Sequence, residues 1–311
     1  MALDTAPLLS RNKKFAYKLE TTTGTFISLS ATNATTRVLN PAVNYDIETI
    51  EREDTESLSD PASEFGARMA NVTFQTWAAG SGTSGSLPAW ADLLKACGMS
   101  FTSLVASPVT GATDSLSFGL YFAGSRAKYA AGCMGNAVFK MTRGQHMTID
   151  WNFSGKYVAP AAASLTTPTY ESVIAPRGAA TFTIGGTTYR CPDFEFDLGN
   201  TVIMREDVSE TTTGYRAAYI TNRSPRFKVT PEASALGTKD WYADMLGGST
   251  SAGVITIGSS AGNTISISMP KLQLVTSPKE TDRNGMLAET LEFKPIRNSD
   301  AGNDEYTITF S

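Results

Sequence analysis

The chain has one histidine, three cysteines and no apolar run near the roughly 20 residues that a membrane span requires. Each scarcity removes a class of function. A lone His146, in "TRGQHMT", reads as a surface residue at a hairpin tip rather than a base or a metal ligand. Cys97, Cys133 and Cys191 form no close pair and leave one over from any pairing, so they read as free, reduced thiols. There is no C-x-x-C, no H-E-x-x-H and no phosphate loop. Basic charge is also short: the formal net charge is -4, against a nucleic-acid binder held by phosphate neutralisation. The N-terminal residues carry their basic side chains after their few apolar ones, the wrong order for a signal peptide, so use without Sec export is expected. Nothing in the pattern sets two carboxylates opposite each other as a carboxylate hydrolase needs. The expectation is a protein that is not an enzyme and has no cofactor or metal.

What is present is alternation. "NVTFQTW" from Asn71, "SLSFGLYF" from Ser115, "HMTIDWNF" from His146, "DFEFDL" from Asp193, "NTISISM" from Asn263 and "EYTITF" from Glu305 all have period two, the mark of half-buried antiparallel strands. Helical patterns are few. The best are Leu87 to Gly98 and Thr238 to Gly248, with Thr238 as N-cap. Trp90, Leu93, Leu94 and Cys97 recur at helical spacing, as do Trp241, Met245 and the earlier Leu236, so each stripe is expected to pack on a sheet of its own half. The run "GSGTSGS" (Gly80 to Ser86) lacks a phosphate-loop lysine and reads as a mobile loop tip.

The chain also repeats. Arg52-Glu53-Asp54 returns as Arg205-Glu206-Asp207, 153 residues on, and "ADLL" at Ala91 returns as "ADML" at Ala243, 152 residues on. An alternating acidic strand precedes each Arg-Glu-Asp turn, a strand containing Val-Thr follows it, and a helix and a hairpin come next in both halves. Collinear features at a near-constant offset predict two copies of one β-rich domain. The boundaries are an N-terminal arm over 1–14, copy 1 over 15–160, a Pro/Ala/Thr-rich linker over 161–178 and copy 2 over 179–311. In the acidic strands Asp46 and Glu48 share one face, as do Asp193, Glu195 and Asp197. These faces read either as ordinary solvated sheet or as one surface selected to be negative.

"LLSRNKKFAYKLETTTGT", "PAWADLLKACGM", "FEFDLGNTVIMREDV" and "KDWYADML", in that order, resemble the major tail tube protein of long-tailed bacteriophages across nearly the whole chain. The resemblance implies β-sandwich domains with a flanking helix, whose sheets join an intersubunit β-barrel around a lumen. It implies stacked rings of three chains (six chains is the alternative) in a virion tail assembled in the bacterial cytoplasm. The implied partners are further copies of the chain, a tape-measure protein, and tail terminator and distal tail proteins. DNA would pass through without specific binding, and no membrane insertion is implied. Twenty-four strands tilted by roughly 40° give a barrel about 45 Å across, leaving on the order of 35 Å for a duplex about 20 Å wide. On this reading the candidate lumen residues are Asp193, Glu195, Asp197, Asp46, Glu48 and, on a third strand, Thr148, Asp150 and Asn152. Leu3, Leu8 and Leu9 would seat the N-terminal arm on a neighbouring ring. A tandem β-sandwich adhesin, on a virion or a cell surface, is the rival reading.

Overall fold

Alternating Thr/Ser and aromatic or branched residues make strands here because one face of each can be buried against a second layer. The computed structural model describes residues 9–51, 62–122, 125–178 and 180–311. In chain order its elements are β1 (Lys13–Leu19), a 3-10 turn (Ala31–Asn33), β2 (Val38–Ile50), β3 (Glu64–Trp77), α1 (Ala91–Lys95), β4 (Met99–Thr102), β5 (Val105–Pro108), β6 (Leu116–Phe122), β7 (Arg126–Thr142) and β8 (Thr148–Ala161). The second half continues with β9 (Ala180–Ile184), β10 (Thr187–Thr188), β11 (Asp193–Asp197), β12 (Asn200–Glu206), β13 (Tyr215–Arg223), β14 (Arg226–Val229) and α2 (Trp241–Leu246). Then come β15 (Thr250–Ile257), β16 (Ile265–Leu274), β17 (Lys279–Arg283), β18 (Met286–Pro295) and β19 (Thr307–Phe310). The fold is mainly β, and among the described residues every strand pairing is antiparallel.

Pairing follows the same path twice. In the first half it runs β1–β6–β7–β8–β3–β2. In the second it runs β9–β15–β16–β18–β14–β11. The two paths are joined. The end of β7 leaves β6 and pairs with β11, from Val138↔Asp197 to Thr142↔Asp193. The C-terminal strand β19 pairs with β16 on one side and with β5 of the first half on the other. One apolar core runs through both halves, from Phe15 and Trp151 to Phe227 and Phe310.

Both helices are shorter than the periodicity predicts. Trp90 stands at the N-cap of α1, and its indole N–H donates to the Ala79 carbonyl at 2.7 Å. Its ring packs on Phe139, Trp151 and also Phe310, so it touches the second half as well as its own. Leu93, Leu94 and Cys97 are buried beside it. Asp240, not Thr238, caps α2: its backbone is extended and its carboxylate accepts from Ala243 N–H at 2.9 Å. Trp241 is buried against Tyr189 and Phe293, and Met245 packs partly buried at the same core. Leu236 is exposed, because the chain before Asp240 is not helical.

The glycine run is not a free tip. Gly82 N–H donates to the Gly262 carbonyl and Gly80 N–H to Asn263 Oδ1. A Cβ on Gly80 would lie 2.2 Å from the Gly262 oxygen, so only glycine lets this loop reach the second half. His146 is half-buried, with Nδ1 2.8 Å from the Ala175 carbonyl, and so pins residues 163–176, which have no regular structure, to the hairpin.

Candidate assembly and channel surfaces

The join between β7 and β11 sets one polar face across both halves. On one rung Thr148, Lys140, Glu195, Lys228 and Glu292 stand side by side on β8, β7, β11, β14 and β18. On the next, Asp150, Val138, Asp197 and Arg226 do the same. Asn152 lies opposite Asn136. The structure thus brings Asp193, Glu195 and Asp197 onto the same face as Thr148, Asp150 and Asn152, while Phe194, Phe196 and Leu198 point into the core.

That face is not purely acidic. Lys140 Nζ lies 3.0 Å from Asp150 and 3.6 Å from Glu195. The hydrogen bond to Asp150, with Glu195 close by, holds the Lys140 amine above its ordinary value. Lys228 and Arg226 flank Glu195 and Asp197 from β14. Opposite charges on neighbouring strands offset the repulsion that three carboxylates on one strand would otherwise feel.

Asp197 is tied into a knot. It accepts from Asn136 Nδ2 at 2.7 Å and from Gly199 N–H at 2.8 Å. Asn136 in turn accepts from Asn200 N–H, and Asn200 Nδ2 donates to the carbonyls of Cys97 and Gly135. The chain can turn there because Gly199 takes a positive φ of 68°, and a Cβ would lie 2.0 Å from the Ser224 carbonyl. The sequence "DLGN" is thus the clasp joining the end of α1, β7 and β11. Asn136 and Asn200 carry no periodicity; Asn200 falls in a stretch that carries the resemblance, but its spacing assigns neither residue a role.

The outer ends of the hairpins form a second surface. β2 and β3 continue past the core as an arm on which Ile47, Ile50 and Phe65 are exposed. Ile47 and Thr49 therefore do not oppose the acidic face from a core, as their alternation predicts; both faces of the arm meet solvent. β12 and β13 form a matching arm with Ile203 and Val208 exposed. The arms touch where Arg68 N–H donates to the Thr213 carbonyl at 2.9 Å, and beside them Lys156 of β8 pairs with Glu210 at 2.7 Å. Asp46 and Glu48 lie along the groove between them, facing Glu206 and Asp207. Asp46 shares a rung with Met69 and Lys156, farther out on the same strands as Asn152. Arg205 and Glu206 are exposed at the end of β12. Ser209 donates to Asp207 from its hydroxyl and its N–H, which holds that carboxyl below its ordinary range. Arg52, Glu53 and Asp54 lie outside the described residues, as do Leu3 and Leu8; Leu9 is exposed.

The phage tail tube protein family matches residues 10–295, a span that takes in the join, the clasp and both arms. The chain belongs to that family. No curated protein matches it. Membership makes it a structural component of the virion tail, on a mainly β scaffold. Among the described residues of this tail tube chain, no group of three or more His, Cys, Asp or Glu is placed to hold a metal ion. None of its described helices is long and apolar enough to cross a membrane. Burial pushes the thiols of Cys97 and Cys133 well up and that of Cys191 to about 11, so none is an activated nucleophile.

Proposed function

We propose that the chain forms a closed ring of three copies, and that the rings stack into a hollow tube through which viral DNA passes. The observation that carries this is the uninterrupted run β2–β3–β8–β7–β11–β14–β18–β16, with β17 extending its last strand. One side of the run is core and the other is polar. Eight strands from each of three chains make the barrel of 24 estimated above, wide enough for a duplex. The shared pairing path supports two copies of one domain, over 15–160 and 179–311, with 161–178 as the strap between them.

On this reading the polar face lines the lumen. Five carboxylates (Asp150, Asp193, Glu195, Asp197, Glu292) and four cations (Lys140, Arg226, Lys228, Lys294) alternate over it. A wall of this kind presents no run of cations on which phosphates could displace counterions and hold DNA fast. The two arms, with their exposed Ile, Val and Phe side chains, are the surfaces for the next ring, and residues 1–14 dock there as well. The tape-measure, terminator and distal tail proteins would meet the ends and bore of this tube.

Concentrated protein viewed by negative stain, with ring mass measured in parallel, tests the reading. Rings or tubes with a central hole and three chains per ring are the expected result. A dispersed monomer that binds a glycan would point to an adhesin instead.

A further inference from the structure

The ring reading needs a closing seam, and the chain carries a template for it. Val138–Thr142 of β7 passes beyond β6 and accepts β11 of the second half. The matched pairing paths put β16 and its continuation β17 where the first half has β7. The rung Val43–Val72–Phe153–Gly135 answers to Phe196–Phe227–Phe293–Leu274. In the second half nothing occupies the outer edge of this strand: among the described residues β17 pairs with β18 alone, and Lys279 to Asp282 are exposed. At the opposite end of the run β2, the counterpart of β11, pairs among the described residues with β3 alone. One seam is filled inside the chain, and the two sides of an equivalent seam stand open at its ends.

We propose, resting on the ring reading, that β17 of one copy pairs antiparallel with the Asn40–Asn44 stretch of β2 in the next copy, repeating the β7–β11 seam. The occupant of each open edge is thus a second copy of this chain. The hydrogen-bonding groups are suitably placed. At the filled seam Leu198 N–H donates to the Ala137 carbonyl, so by alternation the main chain of Phe196 also faces β7. Val43 stands at the level of Phe196, and its carbonyl accepts from Lys128 Nζ at 3.1 Å. A lysine head is a removable cap, and Pro41 takes one donor off the edge; both restrain indiscriminate pairing before the proper partner arrives. Residues 40–44 carry no charge, so the charges of β17 meet no like charge across the seam. Among the described residues the edge strands β1, β4 and β10 have no counterpart that pairs across the two halves.

Counting rungs from the filled seam sets Thr281 opposite Ala42. The test places Thr281→Cys and Ala42→Cys in a Cys191→Ser background, forms rings, oxidises them and runs a non-reducing gel. Covalent dimers and trimers with nothing larger are expected. A control pairs Thr281→Cys with Thr187→Cys on the β10 edge and should stay monomeric on the gel. Amide exchange of the unaltered chain gives a second readout, because assembly should slow 40–44 and 279–283 by about a hundredfold or more. Rings that form without either signal, or that cross-link through Thr187→Cys, overturn the seam while leaving the ring reading intact. Absence of rings overturns both.

Discussion

Phe139 and Phe196 face each other across the β7–β11 seam, ring centroids 6.2 Å apart and both fully buried, although they come from different halves of the chain. Phe196 also meets Tyr306 edge-on at 5.2 Å, so the seam is packed as a core rather than as a contact between finished domains. Phe196→Ala should cost about 3–5 kcal/mol. Because the core is continuous, both halves should melt in a single calorimetric transition, and the substitution should shift that transition as a whole. Two resolved transitions, with only one moved, would show the halves to be energetically separate.

Glu20 is the second prediction. Its carboxylate accepts from Gly24 N–H at 2.8 Å, Ser115 Oγ at 2.6 Å, Ser117 Oγ at 2.7 Å and Gly132 N–H at 2.7 Å. It fastens β1, β6 and the bulged part of β7 together at one point. Glu20→Ala leaves all four donors facing a void and should cost about 3 kcal/mol, read as a lower urea midpoint with unchanged slope. Glu20→Gln should recover little, since an amide offers one acceptor oxygen and turns a donor on the others.

Legibility in the sequence followed burial. β11 alternates cleanly because one face is wet and the other is core, and its reading needed nothing more. Much of β7, 17 residues long, left no such signal: both faces are covered there, which is why it is rich in Ala and Gly. Gly135 shows the constraint, since a Cβ there would lie 2.4 Å from the Phe153 ring. The hairpin with its tip at "TRGQHMT" implies a strand before His146, and the end of β7 from Asn136 does alternate, but alternation does not tell that this end passes from one half to the other. The helices were overextended for a related reason. Leu87 packs on the core and Leu236 does not, but neither lies in a helix, so apolar spacing alone overran both ends. Alternation in Tyr45 to Ile50 overstates burial: Tyr45 packs partly buried at the core, while Ile47 and Ile50 are exposed. Long-range polar ties such as Asp197 to Asn136 leave no periodic trace at all.

Glu171 gives a pH dependence with a definite sign. It is half-buried in the strap, and burial raises its carboxyl above the ordinary value, while the hydrogen bond from Ala89 N–H pulls the other way. The folded state therefore favours the proton more than the unfolded state does. The stabilising contribution is fully present below the unfolded carboxyl value and is lost as pH rises through the folded one. Glu171→Gln keeps an acceptor for Ala89 N–H and removes the charge. It should raise the melting temperature at neutral pH and leave it unchanged near pH 3. A lower melting temperature at neutral pH would mean that the charge itself holds the strap.

The polar face yields the last prediction, which separates its role in the tube from its role in the sheet. Asp197 should be left alone, because replacing it unties Asn136 and Gly199 and would unsettle the seam. Asp193 and Glu195 are exposed and free of that clasp. Changing both to Lys sets a cation at Glu195 between Lys140 and Lys228 on one rung. Like charges on adjacent strands cost up to about 1 kcal/mol each, small against a seam held by Phe139 and Phe196, so rings should still form. The lumen of each ring would gain a band of cations at three equivalent places. Phosphates passing that band would displace counterions and stick, so DNA ejection should slow, and the delay should shrink as salt rises. Intact tubes with unchanged ejection at low salt would place this face away from the DNA. A slowed ejection indifferent to salt would trace the defect to shape rather than charge.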